Sequence, residues 1–101
     1  PTKHHDQLML SIIWAPTADA DLEEITDFIW QHNPIAAQRI WQLIQDSVLP
    51  LSDHPYLYRQ SERMPGCREV VVHPNFIVVY QVGADSIKVL RVLHARQQFP
   101  V

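Results

Sequence analysis

Four side chains capable of chemistry stand where a plain core would carry aliphatics. Arg68, Tyr80, Arg91 and His94 lie inside or at the ends of apolar runs in the last third of the chain. Arg96, Gln97 and Phe99 follow in the closing segment, His-Ala-Arg-Gln-Gln-Phe-Pro. A histidine titrates near ~6.5 and can act as acid or base. A guanidinium makes short, directional bonds to an oxyanion, including a partner's carboxylate. Each group also has a plainer reading. The two strand arginines could form ion pairs with Glu69 or with acids of the first helix. Tyr80 could be a core aromatic with its hydroxyl at the rim, and His94 could fasten the C-terminal tail. We read these groups as contacts rather than catalysts: Arg68, Tyr80, Arg91, His94, Arg96, Gln97 and Phe99 are expected to meet a partner. No residue is assigned a catalytic role. His73 reads as a turn residue, and His32 and His54 as surface positions. His4 and His5 lack a third ligand at a plausible spacing. No glycine-rich phosphate loop, zinc spacing or serine-histidine-acid arrangement is visible, so neither metal nor cofactor is expected.

These side chains need a scaffold, and the hydrophobic pattern supplies one. Leu10 to Trp14 reads as a first strand, halted by Pro16. Thr17 is expected to cap a helix whose first turns carry Asp19, Asp21, Glu23 and Glu24 against the helix dipole. Leu22, Ile25 and Ile29 recur at helical spacing. Asn33 and Pro34 suit the cap and first position of a second helix, which buries Ala37, Ile40, Ile44 and Val48 until Pro50 stops it. Trp30 and Trp41 lie at the edges of the two apolar stripes, to pack between the helices or to form an exposed patch. Leu51 to Pro65 reads as a loop. Three strands follow at about 67–73, 76–82 and 86–93, with links so short that they must pair antiparallel. The spacing sets Phe76, Val78, Tyr80 and Val82 on one face of the middle strand. It sets Ile87, Val89, Arg91 and Leu93 on one face of the last. The expected fold is α+β: a strand, an antiparallel helix hairpin, then a three-strand antiparallel meander, with the first strand completing a four-stranded sheet. Both sheet faces are substantially apolar, and one hairpin covers one face, so a partner chain is expected on the other.

Size and charge narrow the function. At 101 residues the chain suits one small domain. Residues 1–8 read as a disordered leader or cloning remnant, and residues 9–101 as the domain. The net charge of −3 hides an asymmetry: residues 1–62 carry nine acids against three bases, and residues 63–101 carry five bases against two acids. That basic excess is too small for a free-standing, sequence-specific nucleic-acid binder. The single cysteine, Cys67, cannot form an internal disulfide and reads as a small buried hydrophobe. No apolar run reaches the ~18 residues of a membrane span and no cleavable leader is evident, so a cytoplasmic protein is expected.

Two stretches carry a family resemblance. Arg68, Glu69, Val71, Pro74, Ile77 and Tyr80 follow an RExVVxPxxIxxY-like spacing, and LRVLHARQQFP closes the chain. From about Leu10 to Pro100 the chain resembles the ParE branch of the RelE/ParE toxin superfamily. The resemblance implies the toxin of a type II toxin–antitoxin system of the plasmid-stabilisation kind. Such a toxin binds and inhibits DNA gyrase and is neutralised by a ParD-like antitoxin. RelE-type relatives instead cleave mRNA on the ribosome, with a base for the 2′-hydroxyl, cations around the phosphate and an acid for the leaving oxygen. Their lysine positions fall here on Glu69 and Val71, their mid-sheet arginine on Ile77, and their last basic position near Arg96 or Gln97. A carboxylate and two aliphatics disfavour that chemistry. The alternatives are a ribosome-dependent endoribonuclease using His94 and the nearby arginines, or an inactive toxin fold kept as a binding module.

Overall fold

The computed structural model describes residues 9–73 and 75–95. Its elements run β1 (Ser11–Trp14), α1 (Pro16–Trp30), α2 (Pro34–Val48), a 3₁₀ turn (Leu49–Ser52), β2 (Arg59–Gln60), β3 (Arg68–His73), β4 (Phe76–Val82) and β5 (Ser86–His94). The strands form one sheet in the order β1-β5-β4-β3-β2. β1 lies parallel to β5, and all other neighbours are antiparallel. The α+β architecture, the helix hairpin and the meander thus match expectation. The sheet has five strands among the described residues rather than four. The addition is β2, a two-residue strand inside the expected loop that pairs Arg59 with Glu69 and Gln60 with Arg68.

The helices form for the local reasons their sequences suggest, with one change. The Asn33 side chain accepts the Ala36 N–H at 3.1 Å, and Pro34 opens α2 with no N–H to waste. At α1, Pro16 occupies the opening turn and Ala15 the cap, so Thr17 is not the cap expected from its residue type. Its hydroxyl donates instead to the Leu90 carbonyl at 2.7 Å, tying α1 to β5. The hairpin packs on one sheet face. Leu22, Ile40, Ile44 and Val48 bury against Phe76, Val78, Tyr80, Ile87, Val89 and Val92, with Ile25 and Ile29 half-buried beside them.

A bulge changes the expected facing of β5. Tyr80 pairs with Val89 and Val79 with Arg91, so Leu90 is the extra residue. Side chains alternate strictly along a strand, and one inserted residue exchanges the faces beyond it. Val92 therefore joins Ile87 and Val89 beneath the helices, while Leu90 and Leu93 turn to the far face. That face is also less bare than expected. Ile77, Val79 and Leu93 are buried there with Cys67, and Met64 packs against them. The covering segment turns at Met64-Pro65-Gly66-Cys67, where the Cys67 N–H donates to the Met64 carbonyl at 3.0 Å. Gly66 has φ of 86°, as the third position of a proline-initiated type II turn requires. A carboxylate anchors this segment: Glu69, only 2% exposed, accepts from Arg59 at 2.7 Å, Ser61 at 2.8 Å and Arg63 at 2.9 Å. Burial alone would raise the Glu69 pKa. The bonds from Ser61 and Arg59, with the charge and bond of Arg63, outweigh it and hold the carboxyl below its ordinary value.

Candidate partner-binding site

The fold separates the expected contact residues into two groups. Arg68 and Tyr80 face each other across β3 and β4 and belong to the end of the sheet near residues 55–58. Arg68 donates to the Tyr58 carbonyl at 2.7 Å and lies 4.9 Å from the centre of the Tyr56 ring. It forms no ion pair with Glu69, whose oxygens are taken by Arg59, Ser61 and Arg63. Tyr80 is completely buried, with its hydroxyl donating to the Pro55 carbonyl at 3.5 Å and its ring edge-on to Tyr58 at 6.3 Å. Burial raises its pKa. Tyr80 is therefore a platform residue and not the partner contact expected, because its ring has no exposed surface to offer.

Arg91 and His94 form the second group, at the end of β5 that runs beyond β1. β1 pairs with β5 only as far as Val89, so the outer edge of β5 would be open from Leu90 onward. Helix α1 closes it. Thr17 takes the Leu90 carbonyl, and Asp21, one helical turn later, accepts the Val92 N–H at 3.0 Å. The same Asp21 carboxylate receives Arg91 in a two-pronged pair, Nε at 2.6 Å and Nη2 at 3.1 Å. The bond from Asp21 raises the Arg91 pKa and keeps the guanidinium charged. His94 stacks edge-on against Phe76 at 5.7 Å.

Between the hairpin and this end of the sheet lies an apolar cavity of about 840 Å³. Ile25, Phe28, Ile29 and Ile40 line its helix wall, Phe76, Val92 and His94 its sheet wall, and Asp21, Glu24 and Arg91 its mouth. Of the seven expected contacts, this cavity gathers Arg91 and His94. Arg96, Gln97 and Phe99 lie outside the described residues. Asp21, Phe28 and Phe76 were not singled out as contacts from the sequence. For Asp21 a signal was available: Thr17 and Asp21 sit four apart beside the apolar stripe, the spacing of a helix flank that meets a strand edge. Among the described residues no three His, Cys, Asp or Glu side chains gather as a metal set, and no helix is long and apolar enough to cross a membrane. Trp30 and Trp41 are half-exposed and flank a shallow groove on the outer side of the hairpin.

The sheet and the hairpin find their counterparts among proteins of toxin–antitoxin systems. The family model described as the ParE toxin of the type II toxin–antitoxin system, parDE, matches residues 12–99. Toxin RelE2 of Caulobacter vibrioides is 32% identical over 87 residues, which span 86% of this chain and 97% of that protein. The chromosomal ParDE toxin–antitoxin system of P. aeruginosa superposes with a TM-score of 0.75 at 30% identity, covering 85% of this chain and 96% of that one. The RelBE2 toxin–antitoxin complex of Mycobacterium tuberculosis shares the fold, with a TM-score of 0.59 at 16% identity and coverage of 89% and 95%. The chain belongs to the ParE family of type II toxins, within the wider RelE/ParE superfamily.

Proposed function

We propose that this toxin acts by binding DNA gyrase and stalling its cleaved-DNA intermediate, without catalysis of its own. In this reading a ParD-like antitoxin neutralises it in the cytoplasm by laying a segment into the cavity between the hairpin and β4–β5. Residues 9–101 carry the activity as one domain, with Arg91 and His94 among the partner contacts.

The supporting observation is the residue set at the positions where RelE-type nucleases hold the phosphate. Glu69 is buried and saturated by two arginines and a serine, Val71 is half-exposed and Ile77 is buried. A carboxylate whose oxygens are taken by Arg59, Ser61 and Arg63 is not free to act as base or acid, and aliphatics supply neither charge nor proton. One observation favours the ribonuclease alternative: His94 and Arg91 line the same cavity.

Purified protein assayed in parallel decides between the readings. Gyrase with plasmid DNA should accumulate covalently trapped, cleaved complexes, while mRNA on translating ribosomes stays intact. Site-specific mRNA cleavage that disappears in His94→Ala would replace gyrase with the ribosome as target. No effect in either assay would leave an inactive binding module.

A further inference from the structure

We propose that the outer face of the helix hairpin pairs with the same face of a second copy of this chain, α2 against α2 about a two-fold axis at Trp41. This goes beyond the function proposed above and does not depend on the target of the toxin.

Helix α2 carries two stripes at helical spacing. Ala37, Ile40, Ile44 and Val48 are its buried residues. One position further on at each step, Gln38, Trp41, Gln45 and Leu49 form a second stripe, which opens at Pro34. Gln45 is half-buried and the others are exposed, Trp41 by 44% and Leu49 by 61%. Trp30 of α1, 51% exposed, lines the same shallow groove as Trp41. None of these side chains is charged: the two charged residues of α2, Arg39 and Asp46, fall outside the stripe. Aromatic side chains on a surface depleted of charge have the composition of an interface core.

The pattern selects a second copy because it is self-complementary. A two-fold contact sets one patch against itself, so a charge at its centre meets its like. The chain has a net charge of −3, yet this stripe holds none of it. Trp41 stands at the midpoint of α2 (Pro34–Val48). An antiparallel pairing therefore stacks the two Trp41 rings at the axis and sets Gln38 against the partner's Gln45. A glutamine amide both donates and accepts, so these two side chains bond to each other. The hairpin face is about 22 Å long and two helix diameters wide, roughly 450 Å² of footprint per copy, against the ~800 Å² of a standard interface. The dimer is accordingly weak, with a dissociation constant on the order of 10 µM or above. The large cavity lies on the other flank of the hairpin, at Phe28, Ala36 and Ile40, and stays open in the dimer.

Sedimentation equilibrium of the full chain, from about 1 to about 200 µM, tests this. The expected result is a monomer–dimer equilibrium that survives ~0.5 M salt, because no charge pair holds it. Trp41→Glu puts two carboxylates at the axis and should raise the dissociation constant at least about a hundredfold, with the melting temperature kept. Gln38→Glu, exposed and away from the core, should raise it about tenfold by setting a charge against a neutral amide. That second variant keeps the test intact if Trp41→Glu fails to fold. Phe28→Glu, on the cavity flank, should leave the equilibrium unchanged. A chain that stays monomeric throughout, a dimer dissolved by salt, or a species larger than a dimer would overturn the proposal. So would a dimer lost in Phe28→Glu or kept in both stripe variants.

Discussion

Glu69 offers the sharpest test of the physical account, because one carboxylate serves three donors of very different exposure. Its removal in Glu69→Ala leaves the buried Ser61 hydroxyl and the Arg63 guanidinium, with a side chain only 27% exposed, without their acceptor. Breaking a buried charged pair from one side costs about 3–5 kcal/mol at full burial. Arg59, with a side chain 66% exposed, recovers its hydration and adds little. Discounting for that leaves about 2–4 kcal/mol, or a fall of roughly 10–25 °C in melting temperature for a chain of this size. The ranking is more diagnostic than the sum. Glu69→Ala should cost most, Arg63→Ala less, and Arg59→Ala under about 1 kcal/mol. Urea and thermal unfolding followed by circular dichroism would read all three. A Glu69→Ala variant that melts within about 2 °C of the parent, or an Arg59→Ala variant that costs as much as Glu69→Ala, would refute the network as the anchor of residues 59–67.

Three further outcomes follow from the same geometry. Ile44→Ala, at a fully buried position between α2 and the sheet, should lose about 2–5 kcal/mol, and an unchanged denaturation midpoint would contradict the hairpin packing. Because the folded Glu69 carboxyl lies below its ordinary value, its stabilisation is complete above the unfolded pKa of about 4.3 and is lost as pH falls from there through the lower folded value. The parent should therefore lose more stability than Glu69→Gln over that acid range, and parallel curves would contradict it. Asp21→Ala should speed amide exchange at Val92, whose N–H the carboxylate accepts, while the exchange at Val78 opposite stays slow; equal protection in both proteins would refute edge capping by α1.

Much of the scaffold was legible because its signals are periodic. The apolar stripes of both helices, the Asn33-Pro34 start and the meander follow from spacing and turn chemistry. What escaped has no periodicity to read. β2 is two residues long, too short for alternation, and exists because β3 offers it a free edge. The bulge at Leu90 inserts a single residue into an otherwise regular strand, so strict alternation misplaced Val92 and Leu93. Thr17 has the chemistry of a cap, yet Pro16 shifts the helix start and frees its hydroxyl for Leu90. At the site, an ion pair between Arg91 and an acid of the first helix was foreseeable by charge. That Asp21 would also cap a strand edge required knowing where β1 stops.

A stoichiometric titration distinguishes a toxin that works by occupancy, as proposed above, from one that works by turnover. A fixed amount of gyrase, held well above the dissociation constant, is titrated with toxin while trapped cleaved complexes and intact ribosomal mRNA are both counted. For an occupancy toxin, trapping should rise in proportion to toxin and level off near one toxin per binding site, with mRNA intact throughout. Progressive mRNA cleavage at toxin levels far below the ribosome concentration would contradict it, because only a catalyst can act on more targets than there are copies of itself.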